Sequence, residues 1–162
     1  MTPGDLLALL QQLYRDTAEL VMARQAAARG VTDYNVNNAY QQVLGRQDVH
    51  LRWLADAIEG LGGASAAPLE LANDESQGSR RDPKALVESD QQAQRALIDR
   101  WTPKVAAVTN ARHLKMLDLI LGEMAEHLRV FQHAVDGRDD LLGRHSDGKV
   151  LRGEVMAARP RN

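Results

Sequence analysis

The chain has 162 residues, enough for one domain with a sizeable core, and carries 20 Lys+Arg against 22 Asp+Glu for a net charge of -2. That balance gives no basis for a nucleic acid or an anionic membrane surface as partner, and the lack of cysteine excludes disulfides, thiol catalysis and Cys-ligated zinc or iron–sulfur centres. No apolar run approaches the ~20 residues that span a bilayer, and Met1-Thr2-Pro3-Gly4-Asp5 lacks the basic and apolar regions of a signal peptide, so a cytoplasmic protein is expected.

Four helical stretches account for most of the sequence, at about 3–29, 34–61, 83–109 and 111–136. Thr2 is placed to cap the first, with Pro3 in its first turn and Asp5 three residues after the cap. Leu6, Leu10, Leu13, Thr17, Leu20 and Val21 form its apolar stripe, and Gly30 ends it. Thr32 or Asp33 caps the second, whose stripe is Val36, Tyr40, Val43, Gln47, His50, Leu54, Ala57 and Leu61. The alternating steps of four and three make this a coiled-coil-like seam. Gly60, Gly62 and Gly63 close it.

Residues 62–82 then lose any helical period and read as a long connection. At ~3.3 Å per residue it is long enough to run the ~40 Å length of a neighbouring helix. Asp82-Pro83 gives a cap followed by proline at the first helical position. Helix three carries Leu86, Ala93, Gln94, Leu97 and Trp101 and is expected to bend at Pro103 and continue, because Val105 and Val108 keep the period. Asn110 caps helix four, with the stripe Leu114, Leu117, Leu121, Met124, Leu128, Phe131 and Val135, and Gly137 closes it. Residues 138–162 read as an irregular tail. Links that are short, long and short predict an all-α four-helix bundle over 1–137 with one long crossover (62–82) between helices two and three.

Two helical stretches repeat one pattern: Gln47-Asp48-Val49-His50 and Met124-Ala125-Glu126-His127. A Glu-x-x-His pair on each of two helices is how a four-helix bundle builds a carboxylate-bridged dinuclear metal centre. Here both histidines are present and Gln47 and Met124 stand at the glutamate positions. With them, the run Gln47-Asp48-Val49-His50-Leu51-Arg52-Trp53-Leu54, the later Ala57-Ile58-Glu59-Gly60-Leu61-Gly62-Gly63 and the stretch Ile120-Leu121-Gly122-Glu123-Met124-Ala125-Glu126-His127 resemble the ferritin-like superfamily, the diiron-carboxylate bundles that include bacterioferritin and rubrerythrin. The resemblance covers roughly residues 5–136.

It implies metal-ligand positions at Gln47 and His50 on helix two, at Met124 and His127 on helix four, at Gln94 (four residues after Asp90) on helix three, and at Tyr14 or Thr17 on helix one. Glu19 shares a face with Gln12, Asp16 and Ala23 and is expected to point outward. None of the inward positions is anionic at pH 7. Two iron ions bring a charge of about +4 into a low-dielectric core, and carboxylates normally neutralise it. The expectation is therefore a ferritin-like bundle that has lost its diiron site and acts as a non-catalytic binding or structural module without a cofactor. Gln47–His50 and Gln94–His127 hydrogen bonds are expected to fill the centre, with Met124 taking up volume.

Two alternatives stand beside it. One is iron handling or oxidoreduction with iron or another transition metal at a non-standard site around His50 and His127, with Glu19, Asp90 or Glu123 in support. The other is a small apolar ligand in the vacated core. Glu123 and His127, four residues apart, also offer a surface metal pair. Trp53 and Trp101 are read as packing residues at the bundle edges. Apolar residues off the main stripes, Leu9, Leu44, Leu51, Ile58 and Leu119, point to a homodimer. The tail stretch Asp147-Gly148-Lys149-Val150-Leu151-Arg152-Gly153 is similar to the Gly/Leu/Arg tails by which ferritin-like cargo docks to encapsulin shells, which implies that option for this chain.

Overall fold

A computed structural model of the chain describes residues 1–64, 82–138 and 141. Among them are four helices and no strand: α1 (Pro3–Gly30), α2 (Tyr34–Gly60), α3 (Pro83–Ala106) and α4 (Ala111–Val135). Each starts where its cap dictates. Thr2 Oγ1 accepts from the Asp5 backbone N–H at 3.1 Å, and the Asp5 carboxylate accepts from the Thr2 N–H at 2.9 Å, a reciprocal box. Asp33, Asp82 and Asn110 accept from Val36, Lys84 and His113 N–H groups in the same way. The α1–α2 turn is pinned by the Asn37 side-chain amide, which donates to the Ala28 carbonyl at 3.1 Å. At the other end of that pair, a Cβ on Gly63 would lie 2.5 Å from Leu7 Cδ1, so a glycine lets the chain leaving α2 press against α1.

The side-chain pairs across the bundle fix helix directions. Arg24 meets Asp90 and Asp16 meets Trp101, so α1 and α3 run antiparallel. Tyr40 packs on Phe131 and His50 meets Glu123, so α2 and α4 do likewise. Gln91 pairs with Gln132 and Gln94 with the Met124 carbonyl, which sets α3 against α4.

Two apolar clusters fill the interior. The larger, which includes Leu10, Leu13, Leu54, Ile58, Trp101 and Leu117, sits where α1 and α4 begin. The smaller, which includes Val21, Ala28, Tyr40, Val43, Val87 and Phe131, lies at the opposite end. Between them is a belt of buried polar side chains: Thr17, Arg24, Gln47, His50, Asp90 and Gln94.

Several sequence expectations are corrected. On α3 the inward stripe is Val87, Asp90, Gln94, Leu97 and Trp101, while Leu86 is half-buried and Ala93 exposed. Alanine and leucine on a polar helix are weak phase markers; the steps of three and four through Val87 and Asp90 carry the face. The helix runs through Pro103 but stops at Ala106, short of 109. Asp16, placed on the outward face of α1, is buried and accepts the Trp101 indole N–H at 2.9 Å, so Trp101 is an interior residue and not an edge one. Of the residues that suggested a homodimer, Leu44 and Ile58 are buried inside the chain, Leu9 and Leu51 are half-buried, and Leu119 alone of the five is exposed. The middle of the 62–82 connection and nearly all of the 138–162 tail, including 147–153, lie outside the described residues. No described helix is long and apolar enough to cross a membrane.

Candidate functional site

The positions singled out in the sequence bring one or two residues from every helix to the level of the belt. Thr17 comes from α1, Gln47 and His50 from α2, Gln94 from α3, Met124 and His127 from α4. The first five are buried and His127 is partly so. The His50 and His127 rings stand 6.2 Å apart between centroids. Tyr14 is not among them. It is half-buried against the larger apolar cluster, whereas Thr17, one helical turn on, is fully buried.

The expected hydrogen bonds within this set do not form. The His50 Nε2–H donates to Glu123 at 2.6 Å rather than to Gln47. Glu123 is also gripped by both the Nε and a terminal nitrogen of Arg46. An ionised carboxylate is a stronger acceptor than an amide, and it reaches across from α4 one residue before the Met124 position. The surface metal pair of Glu123 with His127 is corrected by the same contact, because the carboxylate turns to α2. The Gln94 amide donates to the Met124 carbonyl and not to His127. Both polar atoms of Gln47 are left without a partner, as are His50 Nδ1, Gln94 Oε1, His127 Nδ1 and Thr17 Oγ1.

Two ion pairs flank the centre. Arg24 lies wholly buried over the Phe131 ring, 4.6 Å from its centroid, and its Nε donates to Asp90 at 3.3 Å. Burial pulls the Arg24 guanidinium below its usual range and Asp90 opposes that shift. The Tyr40 hydroxyl lies near this pair, and burial followed by the Asp90 charge pushes its ionisation upward. On the α2–α4 side, Arg46 stacks 5.1 Å over the Trp53 ring while it holds Glu123, whose carboxyl falls to about 2, first through Arg46 and then His50. Burial keeps both histidines neutral: it lowers His50, and it lowers His127 to about 4 with help from the nearby His50 and Arg24.

A dinuclear iron centre does not fit this donor set. The carboxylates nearest the centre are already committed, Asp90 to Arg24 and Glu123 to Arg46 and His50. Glu19 is exposed, as its helical face predicts. Among the described residues no group of three His, Asp or Glu side chains is placed to hold a metal. Clefts open at the surface among the described residues. One is lined by Gln25, Arg29, Asn37 and Gln41, another by Trp53, Asp56, Arg112 and His113, and neither is lined by Gln47, His50 or Gln94.

Sequence reasoning missed Arg24 and Arg46. Arg24 had a signal: it lies seven residues after Thr17 and three after Val21, in phase with the α1 stripe. Arg46 had none, because its role depends on which residue of α4 lies opposite. Comparison with known protein families, with curated proteins and with solved structures returned no match.

Proposed function

We propose that this chain is a ferritin-like four-helix bundle, with one long crossover between α2 and α3, that has given up the family's diiron site and serves as a non-catalytic binding or structural module. The helix directions support this reading: α2 and α3 both oppose α4, so they point the same way, as helices joined by a crossover do. One observation carries the functional reading. Every inward position of the diiron pattern is neutral, and both nearby carboxylates are spoken for by arginines. Two buried iron ions would face a desolvation cost of several kcal/mol each with no anionic ligand to offset it.

The test is iron loading of the purified chain under air, followed by elemental analysis and a ferroxidase assay. No dinuclear iron and no oxidase activity are expected. About two irons per chain with turnover would overturn the reading. The variant Gln47→Glu/Gln94→Glu/Met124→Glu should gain iron binding on the same backbone and lose stability without metal, because it crowds carboxylates together.

A further inference from the structure

A surface groove of about 460 Å³ runs along the α1–α2 hairpin, lined by Ala28 and Arg29 of α1 and by Gln41, Leu44, Gly45 and Asp48 of α2. Its floor is apolar, made by the buried Ala28 and Leu44. Gly45 is the residue that the chain itself does not explain. Glycine inside a helix gives up stability relative to alanine, and a Cβ at this position would meet nothing within 4 Å. Bare helix backbone on an exposed face allows another backbone to come close. Gly122 on α4 is equally bare, but it lines neither this groove nor the cleft beside Trp53. The hairpin also orders the charges. Arg29 stands at the turn end, next to Ala28, whose carbonyl Asn37 holds. Asp48 stands at the other end, eleven residues beyond Asn37, or ~16 Å along α2. Both side chains are exposed, and neither has an ion-pair or hydrogen-bond partner among the described residues. A groove with a free cation at one end and a free anion at the other is complementary to itself turned end for end.

We propose that this groove seats a second copy of the chain, packed antiparallel about a two-fold axis that passes between the Gln41 side chains. The axis sets Arg29 of each copy against the partner subunit's Asp48. Gln41 then meets the partner's Gln41, and an amide is its own complement, donor to acceptor. Gly45, one turn from the axis, lets the two α2 helices cross at close range over the floor of Ala28 and Leu44. A purely acidic or purely basic partner would leave one of the two free charges unmatched. This surface differs from the set of apolar residues that suggested a homodimer in the sequence: of those five, only Leu44 lines it. The proposal does not depend on the loss of the diiron site.

Sedimentation velocity of the full chain, from low to high micromolar concentration, should show a monomer–dimer equilibrium. Surface variants then locate it, each checked for helix content by circular dichroism. Gly45→Arg should abolish the dimer. Arg29→Asp and Asp48→Arg should each weaken it by on the order of 10-fold, because each sets like charges against one another across the axis. The double variant Arg29→Asp/Asp48→Arg should recover the original dissociation constant, since the reversed charges match again. A single variant that had merely lost its fold could not be rescued in this way. Gly122→Arg is the control and should leave the equilibrium unchanged. A monomer at high micromolar concentration overturns the proposal, as does a dimer that survives Gly45→Arg or dissolves with Gly122→Arg. Failure of the double variant to recover overturns the two-fold arrangement. The iron-loading result is independent of all these outcomes, so either reading can fail alone.

Discussion

The apolar end of the bundle and the polar belt are built from the same four helices and obey opposite rules. At the apolar end, Leu10, Leu13, Leu54, Ile58 and Leu117 are fully buried and have nothing to satisfy except volume. In the belt every buried side chain carries a debt of hydrogen bonding, and it is met in only some of them. Asp90 and Glu123 are matched by arginines; Gln47 is matched by nothing. Deleting atoms should therefore cost stability at the apolar end, and in the belt its sign should depend on whether the atom has a partner.

The largest effect expected is from splitting a matched pair. Arg24→Met leaves Asp90 buried without its cation and should destabilise the fold by about 3–5 kcal/mol in urea unfolding. Adding Asp90→Leu should return most of that loss, because the remaining belt is then apolar at this point. If the double variant is no better than the single, the pair is not the unit of stability. At the apolar end, Leu54→Ala should cost about 2–5 kcal/mol by the same measurement, a transfer term plus a cavity term.

The next effect is on pH. Both histidines have folded values below their unfolded ones, so folding favours their neutral forms. Stability is then full above about pH 6.5 and falls as pH drops toward about 4, where His127 takes up its proton in the fold. Glu123, also depressed, holds until lower pH and is lost between its ordinary range and about 2. The chain should lose on the order of 2 kcal/mol between pH 7 and pH 4 from the histidines, read as a fall in urea midpoint. A flat profile across that window would mean the rings are hydrated.

The smallest effect has the opposite sign. Gln47→Leu removes an amide with two unpartnered atoms and keeps its approximate volume, so it should stabilise by about 1–2 kcal/mol. The same change at Gln94 removes the bond to Met124 and should gain less. Stabilisation at Gln47 and a loss at Leu54, in one chain, is the comparison in its sharpest form.

How much of this could be read from the sequence differs by element. The caps Thr2, Asp33, Asp82 and Asn110 and the stripes of α1, α2 and α4 are local, set by spacing within one helix, and they hold in the structure. The phase at the start of α3 was not legible, because its inward face mixes Val87 with Asp90 and apolar periodicity alone does not mark it. His50 and His127 do meet, as the repeated pattern implies. Their hydrogen-bond partners were not legible, since Glu123 reaches His50 through an offset between α2 and α4 that no spacing inside either helix encodes. Arg24 stood in phase with the α1 stripe, and a lone cation on an apolar face is the signal to look for its counter-charge.

The division of the interior into two apolar clusters of unequal size also bears on how the molecule comes apart. Every helix crosses from one cluster to the other, so the belt is a plane of weak cohesion across all four rods. The smaller cluster gathers the C-terminal turns of α1 and α4 with the first turns of α2 and α3, and it has fewer apolar groups to hold them. Thermal opening should begin there and stop at the belt, as a partial unfolding distinct from the global one. Amide hydrogens near Tyr40, Val87 and Phe131 would then exchange with solvent faster than those near Leu13, Leu54 and Leu117. The molecule would behave as a clothes-peg, firm at the end where α1 begins and able to part at the other, with the histidines close to its fulcrum.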